Sequence, residues 1–168
     1  MASGDQITKG RCIMPVRFAK KNELERVNEL RRQVHELHAA GRPDIFKPGF
    51  PPELRDHVDT IWNDPGQEIV VNERDGVLCG FAVLHRINKP ENPFMHKRDY
   101  LDIDEFGVDE AYRRTKVATE MMSFIREYAK EQGFTRIELN MWEFNEEALA
   151  FYEATGFSTY RRNLEMVL

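Results

Sequence analysis

The sequence predicts an α+β domain in three layers, α/β/α, with helices covering both faces of a mixed, mostly antiparallel sheet. Three observations predict it. A helical apolar stripe opens the chain, two aliphatic runs flank Arg74-Asp75-Gly76, and the second half reads strand, helix, strand. The last order implies a parallel pair joined by a crossover helix, whereas the tight turn implies antiparallel neighbours. At 168 residues the chain suits one compact domain that needs no disulfide or metal staple. Residues 1–13 are polar and aperiodic and read as a loose extension, leaving a single domain over 14–168.

The elements follow in order. Residues 14–19 form a short strand. Asn22 with Glu25 three residues on is a capping pair, and Leu24, Val27, Leu30, Val34 and Leu37 recur at helical spacing to about Ala40, where Gly41-Arg42-Pro43 stops the helix. Pro52 begins a second helix to Asn63 that gathers Leu54, Val58, Ile61 and Trp62. Residues 68–72 and 77–87 make a hairpin, because Asp75 and Gly76 tolerate the positive φ of its turn. After the Pro-punctuated stretch 88–97 come a strand over 100–108, a long helix within 111–132 and a strand over 134–142. Asn145 caps a helix that Gly156 ends, and residues 157–167 can supply a final strand or two.

Composition excludes several functions. A net charge of -5 argues against nucleic acid as partner, since such binding depends on a basic face. Apolar runs fall well short of the ~20 residues that span a bilayer, so no membrane role is expected. Cys12 and Cys79 lack metal-ligand spacing and follow no apolar leader, which points to a reducing, cytoplasmic setting and bland thiols.

Chemistry concentrates between the strand over 100–108 and the helix after it. Arg113, Arg114 and Lys116 stand together where free backbone N–H groups and the helix dipole attract phosphate. Alone, such a turn is more often just solvated. It is followed by Asn145-Glu146-Glu147-Ala148-Leu149-Ala150-Phe151-Tyr152, directly after the strand that would run parallel to the first. Together these segments resemble the core of the GNAT superfamily of acyl-CoA-dependent N-acetyltransferases: strand, (Arg/Gln)-x-x-Gly-x-(Gly/Ala) turn, helix, strand, and Asn-x-x-Ala-x-x-x-Tyr helix. The resemblance implies a central pair of parallel strands that splay apart to admit the pantetheine arm of acetyl-CoA as co-substrate, with no metal. It assigns Phe106, Gly107 and Val108 to pantetheine and thioester contacts, and Arg113, Arg114, Thr115, Lys116, Val117, Ala118 and Thr119 to the pyrophosphate. Asn145 would hold the pantetheine amides, and Tyr152 would protonate the departing thiolate; core packing is the other reading of that tyrosine. Where the family has its middle glycine this chain has Lys116, which either crowds the phosphates or gives them its ammonium, and retained binding is the favoured reading.

The implied reaction is acetyl transfer to a primary amine, a small molecule or a peptide N-terminus, by direct attack in a ternary complex. A lysine-type amine must lose a proton first, at a cost of roughly 4.6 kcal/mol at pH 7. Glu105 ranks first and Asp102 second as the base, with Asp104 and Glu143 behind, and solvated charge is an equal reading for all of them. Strand alternation puts Glu105 and Asp102 on opposite faces unless a bulge intervenes. His35 and His38, three apart, miss the spacing of a zinc-protease helix and read first as a solvated face, second as a wall of the acceptor pocket beside Arg31 and Phe46. The rival function is a module that binds acyl-CoA without turnover, motivated by Lys116. A homodimer is left open.

Overall fold

The computed structural model describes residues 15–168. The extension read for residues 1–13, and Cys12 with it, lies outside the described residues. Among the described residues five strands form one sheet in the order β1-β2-β3-β4-β5: β1 (Val16–Phe18), β2 (Gln67–Arg74), β3 (Val77–Lys89), β4 (Arg98–Val108) and β5 (Ile137–Leu139). The first four run antiparallel, and β5 alone is parallel to its neighbour, with Leu101 beside Ile137 and Ile103 beside Leu139. Helices α1 (Leu24–Gly41) and α2 (Pro52–Asn63) cover one face, while α3 (Val117–Glu131) covers the other. The mixed three-layer fold is as expected.

Each face has its own core. Val27 and Leu30 of α1 and Val58 and Ile61 of α2 meet Ile69, Val71, Phe81 and Val83, whereas Met121, Met122 and Ile125 of α3 meet Val70, Ala82, Leu84, Leu101 and Ile103. The alternation along β2 and β3 is the period of 2 that sends successive side chains to opposite layers. Gly107 lets α1 sit close, because a Cβ there would lie 2.7 Å from both Phe81 and Val34.

Several boundaries differ from the sequence reading. A 3-10 turn over Lys21–Glu23 precedes α1, and Glu23 closes back on the Lys20 N–H at 2.7 Å, so this pair replaces Asn22 and Glu25 as the start signal. The hairpin strands are longer than 68–72 and 77–87, and the turn is as read, with Asp75 at φ 51 and Gly76 at φ 78. The third helix begins only at Val117, after a 3-10 turn over Glu110–Tyr112. The strand expected over 134–142 shrinks to Ile137–Leu139. No strand forms in residues 157–168, which contradicts the final strand read there and leaves β5 at the end of the sheet. Among the described residues no helix is long and apolar enough to cross a membrane.

Candidate active site

The site arises from a mismatch in strand length. β4 continues to Val108, but its pairing with β5 stops at Ile103 and Leu139, so the β5-facing edge of β4 beyond Ile103 has no strand partner among the described residues. A cavity of about 680 Å³ occupies this place. Its walls are Phe106, Gly107 and Val108 on one side and Asn140, Met141 and Trp142 on the other. This is the parted strand pair expected from sequence; Asn140 to Trp142, which the sequence pattern reads as strand, are wall residues that it does not single out.

A bulge sets which carboxylate faces which way. Glu105 pairs with Val83 and Ile103 with Leu84, so Asp104 is an extra residue on β4. Ile103 enters the α3-side core, while Glu105 turns to α1 and meets Arg31. The change of parity places Asp102 and Glu105 on the same face, against simple alternation. Arg31, buried at 3% exposure, donates from Nε to Glu105 Oε2 at 2.8 Å and from its second terminal nitrogen to Oε1 at 2.8 Å. A fork of this kind compensates a buried guanidinium that would otherwise be costly. Glu105 lines the cavity, as does exposed Asp104, but Asp102 does not. Burial, then Asp104 and Glu138 nearby, push the Asp102 carboxyl up to about 6. Glu143 is exposed on the turn before α4 (Glu146–Ala154) and also lies outside the lining.

The opposite end of the cavity is cationic. Arg113, Arg114, Lys116, Val117, Ala118 and Thr119 line it. Thr115 does not, because its hydroxyl donates to the Tyr112 carbonyl at 2.6 Å and braces the turn. Arg114 has φ 61 and Lys116, the residue capping α3, has φ 71, with extended Arg113 before them. Left-handed residues in such a turn aim successive N–H groups into one concavity, the geometry that binds anions, and the 15-residue α3 adds its dipole. So Lys116 stands in the backbone conformation that favours glycine. The turn is held from behind: Asp109 accepts the Ala111 N–H at 2.9 Å and an ion pair from Arg26, and Gln33 accepts the Glu110 N–H at 3.1 Å.

Helix α4 brings the last two groups. Asn145 caps it, its Oδ1 accepting the Ala148 N–H at 3.1 Å, so the amide NH₂ is the end left to donate into the cavity. Tyr152 lies two turns along and lines the same space, its ring packed at 6.3 Å from Phe106 and 5.6 Å from Phe157. Burial pushes its phenol up to about 12, so it is protonated at neutral pH. Both readings of Tyr152, packing and function, are therefore compatible with one position.

The two histidines also line the cavity, contrary to a simple solvated face. His35 Nε2 lies 2.9 Å from the Lys47 carbonyl, and the His38 ring rests 5.3 Å from Phe46, which meets Trp142 edge-on at 5.2 Å. Burial, then neighbouring His35, lower the His38 pKa below its usual value, leaving the ring neutral at pH 7.

Comparison with known proteins agrees with this architecture. The model of the acetyltransferase (GNAT) family matches residues 20–157. The chain is similar to an L-ornithine N5-acetyltransferase, NATA1, of Arabidopsis thaliana, with 30% identity over 121 residues, 70% of this chain and 51% of that protein. It is also similar to the uncharacterized N-acetyltransferase YycN of Bacillus subtilis (strain 168), 26% identical over 67% of this chain and 64% of that protein. The matches thus span less than two thirds of these relatives. Among solved structures, a tetramutant of the BH1408 protein from Bacillus halodurans superposes with a TM-score of 0.86 at 27% identity, covering 91% of this chain and 99% of that one. The aminoglycoside N-acetyltransferase AAC(6')-Iy in complex with CoA shares the fold at a TM-score of 0.71 and 18% identity, covering 91% and 93%.

Proposed function

We propose, from the premise that this chain belongs to the acetyltransferase (GNAT) family, that it transfers the acetyl group of acetyl-CoA to a primary amine by direct attack in a ternary complex. What supports this most is the union, in one cavity, of an uncovered β4 edge, a cationic left-handed turn and a protonated tyrosine. Relatives named as N-acetyltransferases favour an amine acceptor, either a small molecule or a peptide N-terminus.

In this reading Arg113, Arg114, Lys116 and the N–H groups from Lys116 to Thr119 hold the pyrophosphate. The β4 edge at Phe106, Gly107 and Val108 pairs with the pantetheine amides, assisted by the Asn145 NH₂. The amine nitrogen then attacks the thioester carbonyl, whose growing negative charge the β4 N–H groups stabilise. As the C–S bond breaks, Tyr152 gives its phenolic proton to the leaving sulfur. Glu105 takes the proton released by the amine. Because Arg31 engages both Glu105 oxygens, neutral His38 is the second reading for that step.

Steady-state release of CoA over a panel of amino acids, polyamines, aminoglycosides and peptide N-termini tests the activity; background turnover with every amine contradicts it. Lys116 motivates the rival, acyl-CoA binding without turnover. That rival requires tight acetyl-CoA binding, no productive acceptor and no effect of Tyr152→Phe.

A further inference from the structure

The end of the cavity beside α1 is walled by rings. His35 and His38 of α1, Phe50 of the stretch before α2 and Trp142 after β5 line it. Phe46 and Phe144 brace them from outside the lining: Phe46 lies 5.3 Å from the His38 ring and 5.2 Å from Trp142, and Phe144 meets His38 edge-on at 6.3 Å. Phe144 in turn sits against Gly41, in space that a Cβ would fill. Rings drawn from three segments and packed edge to face make a built wall, suited to a flat apolar body.

Charge at this end is nearly cancelled. Arg31 and Glu105 are forked together, so neither is free for an acceptor. Burial keeps His38 neutral at pH 7, and His35 Nε2 is turned to the Lys47 carbonyl at 2.9 Å. The remaining cations of the lining, Arg113, Arg114 and Lys116, stand on the turn before α3, at the opposite end; Lys47 lines a separate hollow beside Phe50. Asp104 is left, exposed on the bulge, lining the cavity and without an ion pair among the described residues. Glu147, the other lining carboxylate, belongs to the first turn of α4, beside the Asn145 cap. A carboxylate on the acceptor would therefore face Asp104 and meet no free cation, and a second ammonium would meet no second free carboxylate. Charges taken out of water without a partner are costly.

We propose that the acceptor, on the acetyl-transfer reading above, is a primary monoamine carried on an aromatic or similarly flat apolar body, with no carboxylate of its own. Its ammonium approaches Asp104 and the negative faces of the rings, and its body packs against Phe50 and Trp142. The products are the acetamide, the free CoA thiol and the proton that the ammonium gives up. Asp104 sets the charge the site accepts, and Phe50 the shape.

Benzylamine, its para-carboxylate and its para-aminomethyl derivative share one body and differ in added charge, so kcat/KM for the three on the full chain tests this. Benzylamine is expected to exceed each of the others by at least about tenfold, the effect of one charge left unpaired. Asp104→Asn is expected to raise KM for benzylamine and to narrow the gap to the para-carboxylate. Phe50→Ala, in a loop outside the core, is expected to lower kcat/KM for benzylamine more than for methylamine. An equal or higher kcat/KM for the carboxylate or the diamine overturns the proposal and leaves acetyl transfer standing, as does an Asp104→Asn variant with unchanged ratios. Acetyl-CoA that binds, measured by calorimetry, with background turnover for these and every other amine strikes the acetyl-transfer reading itself, and the proposal with it.

Discussion

Lys116 carries the sharpest tension in the structure. It occupies φ 71, where a Cβ is strained, at the position where the motif this sequence resembles has glycine. Lys116→Gly should relieve that strain, raising stability by up to about 1 kcal/mol in a thermal melt, less the backbone entropy glycine loses on folding. If the ammonium reaches a phosphate, the same variant should bind acetyl-CoA several-fold more weakly, and calorimetry reads both effects on one sample. Tyr152→Phe keeps the ring packing against Phe106 and Phe157 and removes only the hydroxyl. Turnover should fall about 100-fold or more with acetyl-CoA affinity unchanged. Asp102 gives a pH signature. Its folded pKa of about 6 lies above the model-peptide range, so the folded protein binds more protons than the unfolded chain between roughly pH 4 and 6, and stability falls as pH rises through that window. Asp102→Asn should therefore stabilise the protein by about 1 kcal/mol at pH 7.5 and leave it unchanged near pH 4, allowing for partial solvent screening. Urea melts at the two pH values measure the difference.

At the scale of elements, close packing of α1 on β4 depends on Gly107. A methyl there would meet the Phe81 ring in the core and a methyl of Val34 packed against it, so Gly107→Ala should cost about 2 kcal/mol and shift α1 away from the cavity wall. A raised KM for the acceptor is the expected kinetic trace. Elements with strong local signals were legible in the sequence: the apolar stripe of α1, Pro52 at the start of α2, the Asp75-Gly76 turn, and Asn145 with Gly156 around α4. Others depend on partners that local pattern does not encode. The β-rich stretch around β5 pairs for only three residues because β4 diverges from it, and residues 157–168 have strand periodicity without a neighbour in the same chain. The bulge at Asp104, which decides that Glu105 faces α1, has no residue signal of its own.

For the whole molecule, the fold is a sheet sealed on both faces and left open along one strand edge, where the walls of the cavity converge. The proposed cofactor side is legible through the family resemblance, because Arg113 to Thr119 and Asn145 to Tyr152, the segments that carry it, are each continuous in sequence. The proposed acceptor side is less legible, because Arg31 and His38 of α1, Phe50 before α2 and Trp142 after β5 come from three separate segments that only the fold brings together. Ionic strength should separate the two ends: affinity for acetyl-CoA should weaken with added salt as the cationic turn is screened, while binding of an amine to the aromatic wall should respond less. The central claim is that this cavity grips an acyl-CoA, and titration calorimetry of the purified chain with acetyl-CoA tests it most directly. Saturable binding of one acetyl-CoA per chain, with a matching rise in melting temperature, is the predicted result. No heat and no protection at millimolar acetyl-CoA would contradict it.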